Sequence, residues 1–94
     1  MNTSYKPNNY STVSPYLVVE GAAATIAFLV NIFDAVELRR FPDEAGNIRH
    51  AEVRIGDTVV MLADSIENWP AVPAFVHVYV RDVDAAYQRA LAAG

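Results

Sequence analysis

The sequence predicts an α+β fold built from two similar modules, the second of them incomplete. A short apolar strand followed by an alanine-rich helical segment occurs at residues 16–33, and the same order returns at residues 76–93. Only the first copy is followed by three further strand patterns, so its elements run β-α-β-β-β. We therefore expect a first module over residues 13–64 and the start of a second over residues 74–94.

Composition limits the protein to one domain and excludes several kinds of partner. The 94 residues are 53% hydrophobic, which suffices for a core. A net charge of −4 with only seven Lys and Arg argues against nucleic acid, because neutralising phosphates requires clustered cations. The uncharged apolar stretch from Gly21 to Phe33 is shorter than the roughly 20 residues that cross a bilayer, so we expect no membrane span. The absence of cysteine is typical of a reducing compartment, and we expect a cytoplasmic protein.

Residues 1–12 are polar and lack the apolar run of a signal peptide. We expect them to form a flexible arm preceding one domain over residues 13–94.

The first strand and helix are marked by a change of periodicity. Residues 14–19 form an apolar run with β-branched valines, typical of a strand buried on both faces. From Ala22 to Phe33 the apolar residues recur with helical spacing. The expected inner stripe consists of Ala22, Ile26, Leu29, Val30 and Phe33. Phe28 and Ile32 form a second apolar stripe, which we expect to be covered by self-association or by further sequence, because exposed apolar side chains usually have a partner.

The next three strands include a hairpin with a defined register. Residues 36–41 alternate, with Val36 and Leu38 on one side and Glu37 and Arg39 on the other. Residues 48–55 and 58–63 flank Gly56-Asp57, a pair that favours a type II′ turn.

If Ile55 faces Thr58, then Glu52 lies opposite Met61. Val53, Val60, Ala51 and Leu62 then share an aliphatic face, which we expect to pack on the helix. The opposite face carries His50, Glu52, Arg54 and Met61.

The loop over residues 64–73 contains Trp69, which we expect to anchor the loop on the sheet rather than to form a lid. In the predicted strand over residues 75–80, the valines at 76, 78 and 80 face a helix, and Phe75, His77 and Tyr79 face the other way. A helix follows Asp82, with Gly94 as its C-cap. Its expected inner stripe is Val83, Tyr87, Ala90 and Leu91.

These segments resemble the glyoxalase/bleomycin-resistance/dioxygenase superfamily, also called vicinal oxygen chelate, and in particular a branch of uncharacterised bacterial proteins. The resemblance covers residues 13–94 and is carried by Pro15–Val19 before the helix, by His50–Asp57 leading into Val59–Asp64, and by Tyr79–Ala85. It implies paired βαβββ modules whose sheets curl into a cup. It also implies three further strands after Gly94, contributed by this chain or by another subunit.

The resemblance also implies positions for metal ligands, which this chain fills with Ser14, Met61 and Phe75. Phe cannot coordinate a metal, and Ser and Met are poor ligands for the divalent ions that such sites use. A fourth position would lie beyond Gly94. We therefore expect no metal and no other cofactor.

The resemblance places the ligand site on the face opposite the helices. The candidate ligand-binding residues are Tyr16, His50, Glu52, Met61, Phe75, His77 and Tyr79. An apolar and aromatic wall with a few polar groups is typical of a small-molecule pocket. An alternative interpretation is that His50, Glu52 and Arg54 are solvated or pair with one another, and that His77 is a core histidine.

Three functions remain open, with no catalytic residue assigned. The first is a homodimer that binds a small cationic or planar molecule without a metal. The second is a lyase, isomerase or dioxygenase of the same superfamily, whose decisive residues lie beyond Gly94. The third is a dimeric interaction module with a vestigial cup.

Overall fold

The structure is a computed structural model that describes residues 5–93. Residues 1–4 of the predicted arm and the predicted C-cap Gly94 lie outside this range. The elements are β1 (Tyr16–Val19), α1 (Ala22–Phe33), β2 (Val36–Pro42), β3 (Ile48–Ile55), β4 (Thr58–Asp64) and α2 (Val83–Ala93). The strands form one mixed sheet in the order β1-β4-β3-β2, with β1 parallel to β4 and the other pairs antiparallel. The α+β class and the βαβββ order of the first module are confirmed.

The β3–β4 hairpin has the predicted register. Ile55 pairs with Thr58, and Glu52 pairs with Met61. Gly56 has a φ of 59°, whereas Asp57 keeps a negative φ, which is the combination that a type II′ turn requires. The turn therefore sets which side chains of β3 and β4 share a face.

The aliphatic face of the sheet packs against α1, as predicted. One buried cluster joins the helix to β3 and β4, with members Ala22, Ile26, Ala35, Ile48, Ala51, Val53, Val60 and Leu62. The main core therefore lies between the sheet and α1. Val18, Val59 and Ala63 point to the opposite side and are also buried, and the site shares that side with them.

The simple alternation predicted for residues 36–41 is wrong, because β2 contains a bulge. Glu37 pairs with Val53, but Arg39 pairs with Glu52, so Leu38 is an extra residue. Every residue after Leu38 is consequently turned to the opposite face. Glu37 and Arg40, three residues apart in one strand, lie on the same side for this reason, and Arg40 Nε is 2.8 Å from Glu37 Oε2.

Asp64 at the end of β4 ties the sheet to the start of α1. The N-cap residue Gly21 offers no side-chain cap, and Asp64 Oδ1 instead accepts a 2.7 Å hydrogen bond from the Ala22 backbone N–H. Asp64 Oδ2 accepts a second bond, at 2.6 Å, from the Ile48 N–H. These two backbone donors hold the pKa of the Asp64 carboxyl below its ordinary value.

The stripe assignment on α1 was partly wrong. Ile32, predicted to lie on the second stripe, is 1% exposed, whereas Val30 of the predicted inner stripe is 41% exposed. The reason is that α2 packs against α1, and Arg89 Nη2 donates a 2.8 Å hydrogen bond to the Ile32 carbonyl. Phe28 remains half-exposed.

Of the second module expected from the sequence, the described residues form only the helix α2, and the strand predicted over residues 75–80 is not formed. A strand requires a backbone partner, and no described segment pairs with these residues. Val76, Val78 and Val80 nevertheless face the helices, where they line a cavity of about 290 Å³.

The predicted inner stripe of α2 was also wrong. Val83, Tyr87 and Leu91 are each more than half exposed, and Ala86 is the buried residue of this helix. Val83, Tyr87 and Ala90 line, with Ala86, an open cavity beside α1, so the predicted stripe borders α1 without being buried against it.

Candidate ligand-binding site

The side of the sheet opposite α1, here called the cup face, carries the polar and aromatic residues of the first module. Register alone brings these side chains together, because Tyr16 pairs with Met61, Met61 with Glu52 and Glu52 with Arg39. Two residues further along the strands, His50 pairs with Phe41. The central residues of the cup face are Tyr16, Arg39, Phe41, His50, Glu52 and Met61.

Glu52 lies at the centre of the cup face and is 6% exposed. Its Oε1 accepts a hydrogen bond from the Tyr10 hydroxyl and lies 3.3 Å from Arg39 Nε. Its Oε2 is 2.7 Å from His50 Nε2. Each carboxylate oxygen therefore has one hydrogen-bond partner, and the Arg39 guanidinium adds an ion pair with a permanent positive charge.

Opposing effects act on the protonation of Glu52. Burial raises the pKa of Glu52, but the hydrogen bonds from Tyr10 and His50 and the charge of Arg39 outweigh it, so the pKa lies below the ordinary value. The same hydrogen bond raises the pKa of the Tyr10 hydroxyl. At neutral pH Glu52 is therefore a carboxylate and Tyr10 is a proton donor to it.

His50 links Glu52 to Tyr16. A carboxylate only accepts hydrogen bonds, so His50 Nε2 carries a proton and donates to Glu52. The other ring nitrogen, Nδ1, is hydrogen-bonded to the Tyr16 hydroxyl at 3.0 Å. Phe41 stacks on the imidazole, with ring centroids 6.3 Å apart and an interplanar angle of 27°. The ring is thus held by hydrogen bonds on both nitrogens and by an aromatic neighbour.

Trp69 contacts the other side of Tyr16, with ring centroids 5.5 Å apart. The loop that carries it is also bound to β1, since the Ser65 N–H donates a 2.8 Å hydrogen bond to the Val19 carbonyl. Trp69 is therefore in contact with the sheet but is 42% exposed, and its role as an anchor rather than a lid stays a prediction.

The N-terminal segment lies across part of the cup face and borders an open cavity. Ser11 Oγ accepts a 3.4 Å hydrogen bond from the Val59 N–H, and Tyr10 reaches Glu52. The cavity between this segment and the sheet has a volume of about 470 Å³. Its lining residues are Tyr5, Lys6, Pro7, Tyr10, Ser11, Thr12, Ser14, Arg39, Glu52 and Met61.

Sequence reasoning missed the contribution of this segment. Residues 1–12 were assigned to an arm on the basis of their polar composition, and the flexibility of that arm stays a prediction. The only sequence signal for a role in the site is the occurrence of Tyr5 and Tyr10 in an otherwise small, polar segment. Arg39 was missed because the bulge that turns it to the cup face cannot be recognised from the pattern of apolar and polar residues in β2.

The structure brings together four of the seven predicted site residues, namely Tyr16, His50, Glu52 and Met61. The other three lie elsewhere. Phe75 is fully exposed, and His77 and Tyr79 line a separate cavity of about 220 Å³ beside the hairpin turn. They do not close over the cup face, because their segment is not paired with the sheet.

His50 and His77 differ in their surroundings. His50 and Glu52 do pair with each other, whereas His77 is exposed and contacts Tyr79 with ring centroids 4.7 Å apart. His77 is therefore not a core histidine. Whether any of the seven residues binds a ligand stays a prediction.

The residues at the implied metal positions do not fit a divalent ion. Ser14 and Met61 line the cavity, while Phe75 lies outside it. Within residues 5–93, no group of three His, Asp or Glu side chains is arranged to hold a metal. No helix in the same range is long and apolar enough to span a membrane.

The sequence model of the glyoxalase/bleomycin resistance protein/dioxygenase superfamily matches residues 11–94. The chain therefore belongs to this superfamily, and the resemblance inferred from its motifs is confirmed. Uncharacterised proteins of Mycobacterium bovis and Mycobacterium tuberculosis are 43% identical to it over 93 residues. The aligned region covers 87% of this chain, but only 61% and 55% of those two relatives.

Solved structures support the same assignment. TioX from Micromonospora sp. ML1 is 31% identical, with a TM-score of 0.59 over 89% of this chain and 71% of TioX. The fosfomycin resistance protein FosX from Listeria monocytogenes is 20% identical, with a TM-score of 0.66 over 88% of this chain and 69% of FosX. The likeness to FosX is one of fold alone.

Proposed function

We propose that the protein binds a small organic molecule on the cup face, in the cavity between residues 5–14 and the sheet, without a metal. The cavity itself is the observation that carries this proposal. Its volume of about 470 Å³ lies within the roughly 300 to 1,000 Å³ typical of ligand pockets. Tyr5, Pro7, Tyr10 and Met61 supply aromatic and apolar surface, and a few hydroxyl and charged groups supply orientation.

Among residues 5–93, the side chains that line the cavity include few ligands suited to a metal, which supports binding without one. The one carboxylate that lines the cavity, Glu52, is already engaged by Tyr10, His50 and Arg39. A cation at this carboxylate would have to displace the hydrogen bonds from Tyr10 and His50 and compete with the charge of Arg39.

The proposal is tested by screening a library of aromatic fragments with protein-observed NMR. We expect binders to shift the amide signals of Arg39, Glu52 and Met61. Met61→Trp fills the cavity and should abolish these shifts. Gln88→Trp places the same side chain on the exposed surface of α2 and should leave them unchanged. A library without binders, or binders that Met61→Trp does not affect, would refute the proposed site.

The hydrogen-bonded series of side chains Tyr16, His50 and Glu52 favours a second candidate function. This function is that of an enzyme of the superfamily, such as a lyase, isomerase or dioxygenase. A carboxylate that orients an imidazole, which in turn is hydrogen-bonded to a hydroxyl, is an arrangement suited to acid–base chemistry. Metal analysis separates the candidates. Retention of about one Ni, Zn, Fe or Mn ion per chain through dialysis would favour the enzyme and contradict the metal-free binder.

We also propose that the protein is a cytoplasmic homodimer. The exposed apolar side chains of α1 and α2 support self-association. An interaction module with a vestigial cup would share these side chains, and a protein partner combined with failure of the fragment screen would favour it.

A further inference from the structure

Arg39 reaches the cup face only because of the bulge at Leu38. In a regular antiparallel pairing, the residue opposite Glu52 would be Leu38, and Arg39 would share the side that faces α1. Bulges occur preferentially beside functional sites, where they re-aim a side chain. Here the re-aimed side chain is a guanidinium that lines the cavity.

The charges at the cavity favour an anion over a cation. Its charged lining residues are Lys6, Arg39 and Glu52, so positive groups outnumber negative ones in a chain whose net charge is −4. The Glu52 carboxylate is buried and has donors on both oxygens, which leaves it little capacity to accept from a ligand.

Arg39, by contrast, retains donors for a ligand. Its side chain is 52% exposed, and Nε is the atom that faces Glu52. A guanidinium carries five N–H donors in a planar fork that matches a carboxylate, so a pair with Glu52 through Nε leaves donors over.

We propose that Arg39 is a specificity-determining residue that selects a planar aromatic ligand bearing a carboxylate or similar oxyanion. This inference rests on the proposed function. It keeps the planar ligand expected from the sequence but replaces the cationic alternative with an anionic one. Glu52 acts as a positioning residue that holds the guanidinium in place. The rings of Tyr5 and Tyr10, which line the same cavity, provide surface for the aromatic part of the ligand.

Three naphthalenes that differ only in charge test this inference, namely 2-naphthoate, 2-naphthamide and 2-naphthylmethylammonium. Equilibrium dialysis at low salt should show the anion binding about tenfold more tightly than the amide, and the cation most weakly. The preference should shrink as salt is added. Arg39→Gln should bind the anion and the amide equally, and Arg39→Lys should keep part of the preference.

Arg40→Gln is the matched control. It removes the same charge from the neighbouring residue, whose side chain lies on the opposite face and pairs with Glu37. It should keep the preference of the unaltered protein. Binding in which the cation is favoured, or in which Arg39→Gln stays selective for the anion, overturns the inference but leaves the proposed binding function intact. If no naphthalene binds, the inference fails, while the fragment screen decides the binding function separately.

Discussion

At the scale of single residues, carboxylates organise the first module. Glu52 gathers Tyr10, Arg39 and His50 on the cup face, and Asp64 joins the start of α1 to β3. The two carboxylates differ in the groups that donate hydrogen bonds to them. Glu52 binds side chains and so shapes a site, whereas Asp64 binds backbone N–H groups and so stabilises the fold.

Asp64→Asn should lower the free energy of unfolding at pH 7 by about 1 to 2 kcal/mol, because the amide loses the charge and one of two acceptor oxygens. The pKa of Asp64 is lower in the folded state than in the unfolded state. The stabilisation is therefore complete above the unfolded pKa and disappears as the pH falls through the folded pKa. Urea unfolding at a series of pH values measures this difference.

Asp57→Asn, in the exposed hairpin turn, is the control for this measurement and should change stability little. A difference between the unaltered protein and Asp64→Asn that persists at strongly acidic pH would contradict the assignment.

At the scale of the elements, the hairpin and the bulge together determine the cup face. The turn at Gly56 places Glu52 opposite Met61, and the extra residue Leu38 places Arg39 opposite Glu52. The turn was predictable because Gly56-Asp57 imposes a local backbone conformation. The bulge was not, because it depends on how two strands match over their whole length.

Gly56→Ala should destabilise the protein by about 1 kcal/mol, because a side chain is strained at a φ of 59°. Gly56→Asn should cost less, since Asn tolerates the left-handed region better than Ala. No atom lies within 4 Å of the position that a Cβ would occupy, so steric contact does not contribute. Equal losses for the two variants in urea unfolding would show that backbone strain is not the cause.

At the scale of the whole molecule, apolar side chains of both helices lie on the outside. Val83, Tyr87 and Leu91 recur every four residues along α2 and are all exposed, and Phe28 of α1 is half-exposed. Each such side chain forgoes roughly 1.5 to 3 kcal/mol of burial when it stays in water. This surface is the physical basis for the proposed homodimer.

Sedimentation equilibrium should therefore find a dimer, and Leu91→Glu should weaken it at least about tenfold, because a charge would be buried at the interface. Gln88→Glu adds the same charge to the same helix outside the apolar stripe and should have little effect. A monomeric unaltered protein, or equal behaviour of the two variants, would argue against this interface.

Local patterns in the sequence determined the α+β class, the bounds of α1, the hairpin register and the face of the sheet that packs on α1. These features depend on periodicity and on one turn, which a few neighbouring residues define. The family motifs lie in the same segments, so the superfamily was recognisable from them as well.

Only the tertiary structure decided which side chains complete the site and which helix faces are covered. Tyr10 meets Glu52 across 42 positions of the chain, and Arg39 meets it through a bulge. Ile32 is buried because α2 packs against α1, and residues 75–80 remain unpaired for lack of a partner strand among the described residues. Each of these outcomes depends on contacts between distant segments, which no local spacing encodes.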